Sequence, residues 1–236
     1  MGKTMYVLIC GAGLIGRTLA QNLVKLGHTI AIIDIDPAAC RYARDRLGVM
    51  AFEGSAVSTE VLNEAGIRKT DVVCSALRQD ALNLAIVSLA KHYKVPYIIS
   101  RMRHRDFELP LRQAGANRII STVDLAVSTM VNAVEYPQVE SMMHFEQGQI
   151  EVLKLAIPSQ CHIVGRSIAE IAQDSRFPLS SLIIGYQPHP HLNLMIPNGT
   201  TILEPDSTVL VATKPETLHP VIDFLQECVP ATDPKH

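Results

Sequence analysis

The chain has 236 residues, enough for one large or two small domains with real cores. With 47% hydrophobic residues and a formal net charge of −2, it lacks the basic character of a nucleic-acid binder or of a protein drawn to anionic lipid. No window approaches about 18 consecutive apolar residues, so no membrane span is expected, and the first strand starts too early to leave room for a signal peptide. Five scattered cysteines (Cys10, Cys40, Cys74, Cys161 and Cys228) show no C-x-x-C spacing. They read as reduced thiols in a cytoplasm rather than as a disulfide framework or zinc site, with Cys10 and Cys74 as small buried hydrophobes inside strands.

Residues 6–10 form a short apolar run typical of a buried parallel strand. Gly11, Ala12, Gly13, Leu14, Ile15 and Gly16 follow as G-x-G-x-x-G, after which apolar residues recur at helical spacing through Leu19, Leu23 and Leu26. A second strand over 29–34 ends on Asp34, 23 residues after Gly11. Strand, glycine turn, helix and strand-end acid are the parts of a dinucleotide-binding βαβ unit. Gly11 permits the tight turn, Gly13 lets backbone approach a pyrophosphate, and Gly16 lets helix pack on strand. The phosphates would sit at the helix N-terminus, where unpaired N–H groups and the helix dipole favour negative charge. A carboxylate at Asp34 accepts from a ribose 2′,3′-diol and repels a 2′-phosphate, which disfavours NADP.

The alternation continues. Helices are expected over 37–47, from Ser58 to Gly66, over 80–93, 106–114 and 123–134, with strands at 49–53, 71–75, 97–100 and 118–121. This pattern predicts an α/β fold: a Rossmann-like, doubly wound parallel sheet over 1–135, with ligand in the crevice beyond the strand C-termini. The pattern then breaks at 135–139. A linker over 136–148 leads to a smaller α+β domain over 149–228, with strands at 149–157, 179–186, 192–196 and 207–212, and helices at 167–172 and 220–228. The Met-containing stretch 141–145 sits at the junction, either as ordinary packing or as a hinge or subunit contact. The tail 229–236 is polar and expected to fray.

Together these stretches resemble the RCK (regulator of K⁺ conductance) family, also called TrkA/KtrA, over nearly the whole chain. The resemblance rests on Gly11 to Gly16, on Ile33-Asp-Ile-Asp36, and on Gly54-Ser-Ala56 with the helix behind it. It continues through Asn83, Ile98-Ile-Ser-Arg-Met-Arg103, Leu111-Arg-Gln-Ala-Gly-Ala116 and Ile119-Ile-Ser121. In the second domain it rests on 203–211. The resemblance implies a TrkA-N-like domain followed by a TrkA-C-like one. It implies cofactor contacts at the glycine turn and at Asp34, Ile35, Ser55, Ala56, Ala76, Leu77 and Asn83, with Arg101 and Arg103 as cations for the phosphates. The family often has Gly-Asp-Ala where Gly54-Ser55-Ala56 stands. ATP-binding members can carry arginine where Leu14 stands; leucine cannot meet a γ-phosphate, which favours NAD(H), with ADP or ATP as alternatives.

By the same resemblance the chain is a cytoplasmic, non-enzymatic regulatory subunit. It would lie at the inner face of the cell membrane and control a separate K⁺ transporter or channel. Homodimers would assemble into a ring, commonly an octamer, burying the apolar face of the sixth helix (Leu125, Ala126, Met130, Val131). The competing reading is a small NAD-dependent oxidoreductase with an atypical substrate domain. Its acid–base group would come from His162, His189, His191 or His219, which show no supporting pattern. Pro188-His-Pro-His191 reads as a turn rather than a metal pair.

Overall fold

The computed structural model describes residues 3–145 and 148–228; the tail 229–236, read above as frayed, lies outside the described residues. The chain divides into two compact units, Met1–Ala126 and Val127–His236.

In the first unit β1 (Tyr6–Cys10), β2 (Thr29–Asp34), β3 (Met50–Glu53), β4 (Val72–Ser75), β5 (Tyr97–Met102) and β6 (Arg118–Ser121) form one parallel sheet in the order β3-β2-β1-β4-β5-β6. Helices α1 (Leu14–Lys25), α2 (Pro37–Leu47), α3 (Thr59–Glu64), α4 (Asp80–His92) and α5 (Glu108–Ala114) connect them. Local chemistry sets several of these boundaries. Asp36 caps α2 by accepting from the Ala38 N–H, with Pro37 in the first turn, and Gly48 ends that helix in the left-handed region. Ser58 caps α3 in the same way through Val61.

Strand periodicity divides the core. Leu8, Cys10, Ala31, Ile33, Val73 and Ile98 point to one face, where Leu62, Ile86, Val87, Ala90 and Leu111 of α3, α4 and α5 cover them. Val7, Ile9, Ile30, Ile32, Val72 and Cys74 point to the other face and meet Ala20 of α1 and Ala43 of α2. Since α1 and α2 serve only the β1–β3 half, that face stays open beyond β4. An apolar groove of about 710 Å³ remains there, lined by Leu19, Leu23, Cys74, Tyr97, Ile99 and Ile120 among others.

The last helix of the α/β pattern, α6 (Thr122–Glu135), crosses the division between the units and has no buried residue. Val127, Met130, Val131 and Val134 are at least half exposed. The apolar spacing that predicts this helix correctly therefore does not predict what covers it.

The second unit holds an antiparallel sheet, β7-β8-β10-β9, from β7 (Val139–Phe145), β8 (Ile150–Ala156), β9 (Leu182–Gln187) and β10 (Thr208–Thr213), with α7 (Ile168–Ala172) and α8 (Leu218–Gln226). Leu153, Leu155, Val209 and Val211 alternate inward against Ile168, Ile171, Val221, Ile222 and Leu225. Two expectations change here. Residues 139–145, expected within the linker 136–148, form β7, paired along β8, with Val139 and Met142 packed on the core. Residues 192–196 are not a strand: Met195 alone bridges Tyr186, with Pro188 and Pro190 unable to donate to a ladder. Gln187 instead closes the loop by donating to the carbonyls of Leu192 and Pro190, at 2.6 and 3.3 Å.

Candidate nucleotide site

The C-terminal ends of β1 and β4 lie side by side where the strand order reverses, so the loops that follow them diverge and leave a crevice. The loop after β1 contains Gly11 and Gly13, and Gly16 lies in the first turn of α1; the three glycines have distinct roles. Gly11 has φ +111°, a conformation that strains any side chain, and its N–H donates to the Ile33 carbonyl at 2.8 Å. A Cβ on Gly16 would lie 1.8 Å from the Gly11 carbonyl oxygen, so the third glycine is required for α1 to start directly against the turn. Gly13 differs: its φ of −65° suits any residue, and a Cβ there meets nothing within 4 Å. The space above Gly13 is therefore open. Behind it, α1 begins with no side-chain cap and no acid in its first turn, which leaves its N–H groups and dipole available to an anion.

Asp34, at the end of β2, holds this loop in shape. Its Oδ2 accepts from the Ala12 N–H at 2.6 Å and its Oδ1 from the Asp36 N–H at 2.9 Å. A carboxylate has about four lone-pair sites, so two remain for a ribose diol. The acid thus positions the turn as well as facing the crevice, a second role that sequence spacing does not disclose. Ile35 is exposed beside it. Ser55 is exposed, its hydroxyl accepting only a long 3.4 Å bond from Val57, while Ala56 is buried.

On the β4 side, the Ala76 N–H donates to the Cys10 carbonyl at 2.9 Å, and Leu77 lies against Gly11. Asn83 is fully buried. Its amide accepts from the Leu77 N–H and donates to the carbonyls of Leu77 and Arg101, each at 3.1 Å. It therefore shapes the loop from behind. Arg101 lies within β5 rather than beyond it, and its Nε donates to the Thr122 hydroxyl at 3.2 Å. Burial, then the positive charge of Arg103, push the Arg101 pKa down; Asp80 opposes this and Arg78 adds to it. Arg103 follows the strand and is exposed. Sequence reasoning missed two members of this group, Arg78 and Asp80. Asp80 is 5% exposed and binds the N–H groups of Arg103 and His104 at 2.9 to 3.2 Å. An acid opening the helix after β4 was the available signal.

Among the described residues no group of three or more His, Cys, Asp or Glu side chains comes together as a metal site, and no helix is long and apolar enough to cross a membrane. Three of the four candidate histidines have ordinary partners: Tyr136 for His219, Glu227 for His162 and Glu204 for His189. Hydrogen bonds from Arg176, and then from Arg166, hold the Asp174 carboxyl well below the usual range.

A glycine turn clasped by a strand-end acid at the switch point of a doubly wound sheet defines the first unit as a Rossmann-like domain. The TrkA-N domain family matches residues 7–122 and the TrkA-C domain family residues 152–226. The chain belongs to the TrkA family, as a TrkA-N domain followed by a TrkA-C domain. It is 27% identical over 214 residues to a Trk system potassium uptake protein TrkA homolog of Methanothermobacter thermautotrophicus, covering 91% of this chain and 96% of the relative. To the Trk system potassium uptake protein TrkA of Vibrio alginolyticus it is 25% identical over 240 residues, covering 94% of this chain but only 49% of that one. Among solved structures the GsuK channel superposes with a TM-score of 0.69 at 18% identity, and the GsuK channel bound to NAD with 0.65 at 19%; each covers 97% of this chain and 40% of the other. At such identity these likenesses show the fold.

The glycine geometry separates two substitutions. Gly16→Ala is expected to destabilise the protein by roughly 3 kcal/mol or more, because a backbone oxygen must move. Gly13→Ala should leave the melting temperature of the ligand-free protein unchanged yet weaken nucleotide binding at least about tenfold, a loss of about 1.4 kcal/mol. Thermal melts and calorimetric titration of both variants check this.

Proposed function

We propose that this protein is a nucleotide-sensing regulatory subunit of potassium transport, acting at the cytoplasmic face of the membrane on a separate K⁺ transporter or channel. The observation that carries the reading is the open, uncapped turn at Gly13, held by Asp34. It is a preformed cradle for a diphosphate with a ribose acceptor beside it, and it suits a dinucleotide. Gly13 and the first N–H groups of α1 would receive the pyrophosphate, and Asp34 the adenosine ribose. Arg78, Arg101 and Arg103 supply positive charge nearby. The family supports the functional step, since relatives covered over nearly their whole length are named Trk potassium uptake proteins and a fold neighbour is a channel with NAD bound.

In this reading the protein is a switch rather than a catalyst. The nucleotide biases one arrangement of assembled subunits, which requires that it bind two arrangements with different affinity. Assembly begins with a homodimer of this chain and extends to a ring, for which an octamer is the family's common form. The exposed apolar face of α6 supplies the pairing surface, because a 14-residue helix without a buried side chain gains little from its own fold. The preferred ligand is NAD(H), with ADP the next candidate, and NADP is the poorest because its 2′-phosphate would face Asp34.

Thermal unfolding in the presence of NAD⁺, NADH, NADP⁺, ADP and ATP tests the ligand. At 100 times Kd a native-state ligand adds about 2.7 kcal/mol, so NAD(H) should raise the midpoint visibly and NADP⁺ should not. Asp34→Ala should abolish the shift. A flat response to every adenine nucleotide would sink the proposal, as would turnover of NADH coupled to a small substrate. Met130→Glu combined with Val134→Glu should convert the assembly to a smaller species by light scattering while leaving the circular dichroism spectrum unchanged. An unchanged mass would remove α6 from the pairing surface.

A further inference from the structure

Two of the five cysteines face each other across a single antiparallel bridge. After β8 the chain turns at Pro158, and Cys161 comes opposite Cys228, in the segment that leaves α8. The His162 N–H donates to the Glu227 carbonyl at 3.2 Å, while the Cys161 N–H goes back to Pro158 at 2.9 Å. A hydrogen bond therefore flanks the pair, and the Cys161 N–H does not join it. Opposed residues of this kind have Cα atoms about 4.5 Å apart. That lies inside the window of roughly 4.4–6.8 Å that a disulfide spans.

The two thiols are unequal. Cys161 is buried and its Sγ donates to the Leu225 carbonyl at 3.2 Å, whereas Cys228 is exposed. Burial raises the pKa of Cys161. The remaining thiols offer no comparable site. Cys10 and Cys74 point to opposite faces of the sheet, and burial pushes them up to about 12 and about 11. Cys40 is buried between the carbonyls of Asp34 and Phe52.

We propose that Cys161 and Cys228 are a redox-reactive pair that closes by exchange with a small-molecule disulfide. The accessible Cys228 thiol gives its proton to solvent, and the thiolate attacks one sulfur of the oxidant. That sulfur–sulfur bond breaks, a mixed disulfide forms on Cys228, and one small thiol leaves. Cys161 then loses its proton, attacks the Cys228 sulfur and expels the second small thiol. The protein gives up two electrons and two protons, and the oxidant takes both up. The division of labour follows from burial: Cys228 meets the oxidant and Cys161 resolves the adduct. Closure would pin the end of α8, whose Leu218, Val221, Ile222, Phe224 and Leu225 lie in the core of the second unit, to the turn that follows β8. A bridge of this kind, with one sulfur near solvent, belongs to the labile class rather than the structural one.

The test is incubation of the full chain with excess oxidised glutathione, alkylation of remaining thiols under denaturing conditions, and peptide mass mapping. Peptides containing Cys161 and Cys228 should be found linked, with two hydrogen masses lost, and reduction should reverse this. The unfolding midpoint should rise on oxidation and fall again on reduction. Cys161→Ser should accumulate the glutathione adduct on Cys228, and Cys228→Ser, an exposed and structurally mild change, should leave Cys161 fully alkylated. An adduct that stays on Cys228 in the wild-type chain, or a disulfide joining Cys228 to another copy while Cys161 is alkylated, would overturn the proposal.

Discussion

The hydrogen bond from the Ala12 N–H to the Asp34 carboxylate is the constraint on which the site depends. It spans the ends of two neighbouring parallel strands, and at 2.6 Å to a charged acceptor it belongs to the strong class, about 1.5–3 kcal/mol. With Gly11 tied to Ile33 and Gly16 packed on the Gly11 carbonyl, it leaves the turn little freedom before any ligand arrives. The open space over Gly13 is the result. Preorganisation of this kind favours binding because the ordering is complete in the ligand-free fold.

The same βαβ handedness that builds the crevice also leaves the sheet asymmetric. Helices α1 and α2 lie on one face and α3, α4 and α5 on the other, so β5 and β6 have no covering helix on the α1–α2 side. An apolar groove and an apolar helix are left with exposed surface in consequence. A protein that acts as an assembly has a use for such surfaces, and a monomer would have to tolerate them. Ile15, Ala76 and Arg101, which the family resemblance marks as cofactor contacts, also line the groove.

Much of this was readable from the residues because the responsible forces are local. Gly11 and Gly16 are dictated by a positive φ and by a clash within one turn, and both announce themselves in the spacing. The caps Asp36 and Ser58 lie next to the helices they start. Contacts made at a distance were not readable. Asp34 binding Ala12, Asp80 binding the amides 23 and 24 residues later, and Asn83 bonding Arg101 all depend on which strand ends become neighbours. The second unit was harder for a related reason. Leu192, Leu194 and Ile196 alternate like a strand but follow prolines that deny them a ladder. Residues 139–145 look like a junction, yet they pair along β8 with most side chains exposed. Periodicity reports burial on one face and is silent where neither face is buried.

The reading rests on an adenine dinucleotide seating on the preformed turn. Amide hydrogen exchange of the full chain, with and without saturating NAD⁺, tests it most directly. A dinucleotide seated there slows exchange at residues 11–17 and 76–78. Protection confined to the second unit, or none at the glycine turn under conditions where NAD⁺ is bound, would contradict it.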